Sequence, residues 1–260
     1  MQLTRLCQPQ WNRERAVDVG CGSGQSTFVL QPHFKEIIGI DVSSTQIEEA
    51  KKLLNHDSTI TFKVGPGESL PFLDRSCDLV TCCQTIHWLD IPKFYSEVDR
   101  ILKPGGILAV FGYHFTGPSP NVPNHKEIEK LRKELYEITQ PFWDSKRALV
   151  DQGYTTIPQI PYSNSFRDES HYTDVEGTLD DFIGYITTWS GFRAFQNVQG
   201  NLEAGQLLQT FRDKCLDLLL KSADSEVEVH REDLLLSTPK VALRTNYFLL
   251  VGQKPDHPEK

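Results

Sequence analysis

The sequence predicts an α/β fold with a doubly wound, mostly parallel β-sheet. Apolar runs that are typical of strands alternate with helical patterns from residue 16 to about residue 112. Because such alternation places crossover helices beside parallel strands, it indicates a sheet that is covered on both faces. The 260 residues are enough for one large domain, or for one domain with a cap.

The first half of the chain supplies five of the strands and three helices. Ser43 or Ser44 can cap the second helix, and Pro104 with the two glycines after it ends the third. The predicted strands cover 16–20, 36–41, 59–64, 77–82 and 107–113, and the predicted helices cover 24–31, 44–55 and 91–102.

The composition of the chain changes after Gly117, where three prolines interrupt the alternation. We expect a charged helix over 125–139, an irregular or strand-like stretch over 157–172, helices over 179–189 and 202–221, and a strand over 241–251. The predicted organisation is a short N-terminal segment (1–15), an α/β core (16–116), a helical cap inserted after the fifth strand (117–235), a last core strand (236–253) and a tail (254–260).

The net charge of −8 bears on the class of substrate. Contacts to phosphate dominate nucleic-acid affinity, so an acidic chain disfavours RNA or DNA and favours a small molecule. No apolar run reaches the roughly 18–20 residues of a membrane span, and residues 1–15 lack the apolar core of a secretory signal. The cysteines lack metal-ligand spacing, so we expect no metal site and free thiols in a reducing cytoplasm: Cys7, Cys21, Cys77, Cys82, Cys83 and Cys215.

A glycine turn follows the first strand and is the strongest functional signal. Gly20, Gly22 and Gly24 form the pattern G-x-G-x-G, and Asp41 ends the next strand. Glycines let the backbone approach a ligand, and a carboxylate at this place can accept bonds from ribose hydroxyls. The alternatives are a turn without a ligand and an aspartate that caps helix 44–55.

The spacing of this turn disfavours a dinucleotide. A dinucleotide fingerprint is G-x-G-x-x-G, and Gln25 takes the position of its last glycine. Asp18, just before the turn, would repel a pyrophosphate but suits a cationic ligand. S-adenosylmethionine (SAM) carries a sulfonium and an ammonium and has no phosphate.

The same residues resemble the class I SAM-dependent methyltransferases. The likeness covers about residues 16 to 112 and rests on five segments in the expected order: Asp18–Gly24, Asp41, Leu70–Phe72, Cys77–Thr81 and Leu102–Leu108. It implies a Rossmann-like sheet of seven strands. A narrower resemblance, to the trans-aconitate methyltransferase group, rests on short aromatic segments: His87–Asp90, Phe111–Tyr113, Pro141–Trp143, Thr188–Ser190 and Arg244–Phe248.

The resemblance implies SAM as the cofactor and a set of residues that bind it. Asp18 matches the acid that opens the family's first motif, where it organises the loop or meets the methionine ammonium through water. Pro66 stands where many members carry an acid for the adenine, so Gly67 or Glu68 is expected to substitute. The expected cofactor-binding residues are Asp18, Gly20, Cys21, Gly22, Gly24, Asp41, Val42, Gly67, Glu68 and Gln84. Members usually have a longer N-terminal helical segment, so a shortened lid is expected.

Residues at the ends of strands four and five, and in the cap, are candidates for the acceptor site. We expect catalytic roles for His87, Tyr113 and His114. The expected substrate-binding residues are His87, Trp88, Trp143, Arg147, Trp189 and Arg193. The alternatives are a structural histidine at position 87, core packing for the aromatic residues and surface charge for the arginines.

The predicted activity is methyl transfer from SAM to a small molecule, with a carboxylic acid as the favoured acceptor. A carboxylate is ionised at neutral pH and needs no general base, so the enzyme has to position the reactants and exclude water. An amine, hydroxyl or carbon acceptor would need a base, for which His87 or His114 is available. Two alternatives stay open: N- or C-methylation of another metabolite, and a SAM-binding sensor or partner protein. The oligomeric state is left open.

Overall fold

The structure is a computed structural model that describes residues 13–54, 59–223 and 239–256. In chain order the first elements are β1 (Arg15–Val19), α1 (Gln25–Phe28), β2 (Glu36–Asp41), α2 (Ser44–Lys52), β3 (Ile60–Val64), β4 (Cys77–Cys83), a 3-10 turn (Ile86–Trp88), α3 (Ile91–Ile101) and β5 (Leu102–Tyr113). The later elements are β6 (Gly117–Pro118), α4 (His125–Thr139), a 3-10 turn (Gln140–Phe142), α5 (Arg147–Asp151), β7 (Phe166–Asp168), β8 (Tyr172–Val175), α6 (Leu179–Thr187), α7 (Ser190–Gln199), α8 (Asn201–Ala223) and β9 (Leu243–Gln253).

The strands follow the path β3-β2-β1-β4-β5-β9-β6. Strands β1 to β5 pair in parallel, whereas β9 runs antiparallel to β5 and brings Tyr247 opposite Tyr113. Two short strands, β7 and β8, pair with β9 outside this path. The prediction of a mostly parallel, seven-stranded α/β sheet is therefore confirmed, with the antiparallel strand as its exception.

Alternating strand residues fill two hydrophobic clusters, one on each face of the sheet. Val80 belongs to the cluster that includes Phe94 and Val98 of α3, whereas Leu79 belongs to the cluster that includes Ile47 of α2. Successive side chains of a strand point to opposite faces, so both faces must be covered by helices. This packing explains the near-continuous apolar runs of the central strands.

The chain forms two compact units. Over the described residues, the first unit contains the chain up to Tyr113, Leu149–Ser170 and the chain from Tyr247, and the second contains His114–Ala148 and His171–Asn246. The sequence analysis assigned all of 117–235 to the cap, but the structure places 149–170 in the first unit. The reason is that Tyr154 and Tyr162 of this stretch are buried in the core of the first unit.

The second unit is mainly helical. Helices α4, α6, α7 and α8 share one hydrophobic cluster, and β6 and β8 pair with the first half of β9. The sequence analysis missed α7, although Phe192 and Phe195 of this helix are buried at helical spacing. Within the described ranges, none of the helices is long and apolar enough to cross a membrane.

The largest differences in element boundaries within the first unit occur at three elements. Helix α1 covers only Gln25–Phe28, and turns follow it where the prediction continued the helix to residue 31. Helix α2 begins as predicted, with the Ser43 side chain accepting the Gln46 N–H, but ends at Lys52. Strand β5 begins at Leu102 because Leu102 already pairs with Cys77 of β4, and the register shifts before Leu79 pairs with Ile107.

Candidate functional site

A cavity of about 540 Å³ lies in the first unit, at the carboxyl ends of the parallel strands. Ligands of open α/β sheets bind at this edge. The predicted residues that line it are Gly20, Cys21, Gly22, Asp41, Val42, Gly67, Glu68, Gln84, Trp88 and Tyr113. Asp18, Gly24 and His87, which were predicted for the same site, do not line it.

All three turn glycines have positive φ angles, of 54° to 91°. They differ in what a side chain at each position would contact. A Cβ on Gly20 would overlap the Thr85 side chain, and a Cβ on Gly24 would lie 2.8 Å from the Phe28 and Phe62 rings. A Cβ on Gly22 would meet only the Gln46 side chain, at 3.8 Å. Gly22 therefore presents bare backbone to the cavity, whereas Gly20 and Gly24 allow close packing inside the protein.

Asp41 connects β2 to the glycine turn. Its Oδ2 accepts the Gly22 backbone N–H at 2.9 Å, and its Oδ1 accepts the Ser43 N–H at 2.8 Å. A carboxylate oxygen can accept two bonds, so each of these oxygens keeps capacity for a ligand hydroxyl. Oδ1 of Asp41 therefore caps the start of α2, as the alternative interpretation predicts. The capacity that remains on both oxygens is compatible with a bound ligand.

Asp18 is completely buried beneath the glycine turn and is hydrogen-bonded to residues of α1 and β4. Its carboxylate accepts hydrogen bonds from the hydroxyls of Ser26, Thr27 and Thr81, at 2.6 to 2.7 Å. Burial raises the pKa of this carboxyl, while the three hydroxyl bonds oppose the rise. These contacts favour the loop-organising role over direct contact with a ligand.

Thr85 is a site residue that the sequence analysis missed. Its hydroxyl donates to the Cys83 carbonyl at 2.8 Å and to the Gly20 carbonyl at 3.1 Å, so it joins the β4 loop to the glycine turn. Gln84, its neighbour, has a positive φ and donates through Nε2 to the Tyr113 carbonyl at 2.8 Å. The sequence offered only the position of Thr85, directly after a buried strand.

Gly67 and Glu68, for which the sequence analysis predicts contact with the adenine, both line the cavity. A Cβ on Gly67 would lie 2.7 Å from Val19, so the backbone here is packed tightly against β1. Glu68 accepts the Asp90 N–H at 2.8 Å through one carboxylate oxygen. Because Asp90 is the N-cap residue of α3, Glu68 also fixes the start of that helix.

His87 lies behind the cavity wall. Only 7% of its surface is exposed, and its Nδ1 lies 2.7 Å from the Tyr154 hydroxyl, which is also buried. Its ring contacts Trp88, which is half exposed and lines the cavity. This placement favours the structural alternative for His87 and leaves Trp88 as the residue that faces the cavity.

The second unit gathers three of the predicted acceptor residues around Phe115. The rings of Trp189 and Trp143 lie 4.5 Å and 5.4 Å from the Phe115 ring, and the Arg147 guanidinium lies 4.2 Å from its centre. Arg193 is not among them, because it is exposed and its Nε donates to the Thr187 carbonyl.

His114 opens the second unit and anchors it to β9. Its backbone N–H donates to the Asn246 carbonyl at 3.0 Å. The main chain makes this contact, and the catalytic role of the imidazole stays a prediction.

Comparisons with known proteins agree with this geometry. The family described as "Methyltransferase domain" matches residues 17–110. A Saccharomyces cerevisiae protein named as an S-adenosylmethionine-dependent methyltransferase is 40% identical over 203 residues, which cover 68% of this chain and 69% of that protein. The chain belongs to the class I SAM-dependent methyltransferases.

Two further proteins resemble this methyltransferase. A Dictyostelium discoideum protein named as a methyltransferase is 32% identical over 185 residues, or 70% of this chain and 66% of that protein. The matched stretches thus span about two thirds of the length of these relatives. A solved structure from Anaeromyxobacter dehalogenans, named as a type II methyltransferase, has a TM-score of 0.68 at 24% identity and covers 94% of this chain and 92% of its own, which supports the fold.

The charges that line the cavity of the methyltransferase suit SAM. Among the described residues that line it, Asp41 and Glu68 are acidic and none is Lys or Arg. A site for a pyrophosphate would need donors or cations at this position, whereas the sulfonium and ammonium of SAM favour an acidic wall.

Proposed function

We propose that this methyltransferase transfers the methyl group of SAM to a carboxylate oxygen of a small acid, as members of the trans-aconitate group do. The observation that carries the proposal is the Arg147 guanidinium, stacked 4.2 Å from the centre of the Phe115 ring in the second unit. A guanidinium beside apolar rings suits a carboxylate, because it can donate two parallel hydrogen bonds to it.

The cofactor would be held by the first unit. Gly22 leaves its backbone open to the nucleoside, and Asp41 offers its remaining lone pairs to the ribose hydroxyls. Gly67 and Glu68 would border the adenine, while Cys21, Val42 and Gln84 complete the wall. Bound SAM supplies a methyl group that is already activated by the sulfonium charge. Asp18, Gly20 and Gly24 keep the turn in shape for this task.

A carboxylate acceptor needs no catalytic base, which agrees with the buried position of His87 outside the cavity. The acceptor is ionised at neutral pH, so no side chain has to remove a proton from it. The Nδ1 of His87 is engaged with Tyr154, and its ring does not line the cavity. The roles left to the chain are positioning and exclusion of water, for which we propose Trp88 and Tyr113 at the cavity.

One relative supports an oxygen acceptor. A Coxiella burnetii protein named as a malonyl-[acyl-carrier protein] O-methyltransferase is 28% identical over 177 residues, which cover 61% of this chain. A carboxyl O-methyltransferase among the relatives makes this chemistry accessible to the fold.

We also propose that the protein works in a reducing compartment such as the cytoplasm. The described cysteines are all free thiols: Cys21, Cys77, Cys82, Cys83 and Cys215. Burial raises the pKa of Cys83 and of Cys215 to about 12, so these thiols stay protonated and unreactive.

The proposal is tested by incubating the protein and methyl-labelled SAM with a panel of di- and tricarboxylic acids. We expect a labelled product from which mild base releases labelled methanol, because methyl esters hydrolyse under these conditions. A product that is stable to base would contradict the ester and indicate N- or C-methylation. Tight SAM binding without transfer to any acid or to a metabolite extract would indicate a sensor.

A further inference from the structure

Two buried hydrogen-bond donors in the second unit lack an acceptor within the part of the chain that the structure describes. Nη1 of Arg132 and Nε1 of Trp189 have no hydrogen-bond partner among the described residues. The exposed fractions of these residues are only 6% and 4%. Buried polar groups in native proteins nearly always find a partner, and an unpaired donor costs about 1–3 kcal/mol, or more if it is charged. These donors therefore need an explanation.

The two side chains that carry these donors pack against the same ring as Arg147. The Trp189 ring lies 4.5 Å from Phe115, and the Arg132 guanidinium lies 5.3 Å from the Phe115 centre. Arg147 stacks on Phe115 at 4.2 Å and is only partly buried. Two side chains with spare donors and one further cation therefore pack around a single ring.

Arg132 is held so that only one side of its guanidinium is spare. Its Nε and Nη2 donate to the two carboxylate oxygens of Glu129, at 2.7 Å and 2.6 Å. Gly117 of β6 lies against this pair, since a Cβ there would be 2.7 Å from Glu129 Oε2. Glu129 neutralises the charge of Arg132, and Arg147 adds a positive charge at the same ring.

We infer that the second unit binds a carboxylate of a small organic acid beside Phe115, with Arg132 Nη1 and Trp189 Nε1 as its hydrogen-bond donors. Arg147 supplies the attraction for the negative charge. Spare N–H groups and a cation, without a spare acceptor in the set, match an ionised carboxylate better than an amine or a neutral ligand. The choice of a carboxylate rests on the proposed function, but the binding site itself belongs to the second unit.

The site is tested by calorimetric titration with acetate, succinate, citrate and trans-aconitate as probes. We expect at least one polycarboxylate to bind. Arg132→Lys keeps the charge but loses the spare Nη1 donor, and we expect the affinity for the polycarboxylate to fall about tenfold or more. Trp189→Phe keeps an aromatic ring but loses the N–H together with the five-membered part of the indole, and we expect a loss of about three- to tenfold. Both variants are first checked for a native circular dichroism spectrum.

The matched control is Arg212→Lys, which makes the same chemical change at a partnered arginine of the second unit. Arg212 donates to Asp180 at 3.0 Å, and we expect wild-type affinity from this variant. Equal affinity in all variants would overturn the inference, and so would the failure of every probe to bind, because the donors would then face only internal water.

The two proposals fail in different ways. Binding of citrate that depends on Arg132, in a protein that methylates no acid, would refute the proposed function alone. Methylation of an acid with the same KM in wild type, Arg132→Lys and Trp189→Phe would refute this site alone.

Discussion

Asp41 and Gly22 are joined by a 2.9 Å hydrogen bond across 19 residues of sequence. The bond ties the end of β2 to the glycine turn that follows β1, and it orients the carboxylate toward the cavity. The same carboxylate also receives the Ser43 N–H at the start of α2. One side chain therefore shapes the turn, begins a helix and keeps lone pairs for a ligand.

Alanine substitutions should distinguish the glycine that borders the cavity from those that pack inside the protein. Gly22→Ala places its methyl group toward the cavity, so we expect a folded protein whose SAM affinity falls about tenfold or more. The positive φ of this residue should cost about 1–2 kcal/mol of unfolding free energy. Calorimetry and urea denaturation measure the two effects. SAM affinity at the wild-type level would contradict the placement of Gly22 in the cofactor site.

Gly20→Ala is the comparison for that variant. Its methyl group would overlap the Thr85 side chain rather than enter the cavity. We expect a larger loss of stability, of several kcal/mol, because the β4 loop must move in addition to the backbone strain. If Gly20→Ala proved as stable as Gly22→Ala, the packing of the turn against Thr85 would be wrong.

Stability should depend on pH through Asp18. Burial raises its folded-state pKa, so its contribution is fully present below the unfolded pKa of about 3.9 and is lost as pH rises through the folded value. Asp18→Asn cannot titrate. Urea denaturation between pH 4 and pH 7.5 should therefore show wild type losing stability relative to the variant as pH rises. A difference that is constant, or that changes in the opposite direction, would contradict this assignment.

The bond between Tyr154 and His87 should stabilise the wall behind the cavity. Tyr154→Phe leaves a buried ring nitrogen without its partner, and we expect a loss of about 1–3 kcal/mol in unfolding free energy. Tyr162→Phe is the matched control, because the Tyr162 hydroxyl bonds to the half-exposed Asp99, which water can satisfy instead. Its expected loss is about 1 kcal/mol or less. Equal losses of unfolding free energy in the two variants would contradict the expectation that the bond to His87 stabilises the protein more than the bond to Asp99.

Local patterns predicted that the glycine turn and Asp41 lie at one cavity of the first unit. The glycine turn follows one apolar strand, and Asp41 ends the next. Because the carboxyl ends of parallel strands meet at one edge of the sheet, the sequence alone predicts that these residues lie close together. Helix α4 was likewise predicted with its observed limits. These features depend on residues that are close in sequence or on a general rule of the fold.

Features that depend on distant contacts could not be predicted in this way. The burial of Asp18 depends in part on Thr81, 63 residues away, and the assignment of 149–170 to the first unit depends on where Tyr154 and Tyr162 pack. Helix α7 was missed because the Trp189-Ser190-Gly191 junction resembles a longer break. The sequence predicts only a charged helix around Arg132, because the burial of this residue and its unpaired nitrogen depend on packing within the second unit.

Calorimetric titration of wild type and Asp41→Ala with SAM and with NAD tests the central claim most directly. The account predicts that wild type binds SAM and gives no response to NAD, and that Asp41→Ala remains folded but binds SAM at least about tenfold more weakly. Wild-type SAM affinity in Asp41→Ala, or binding of NAD by the wild-type protein, would contradict it.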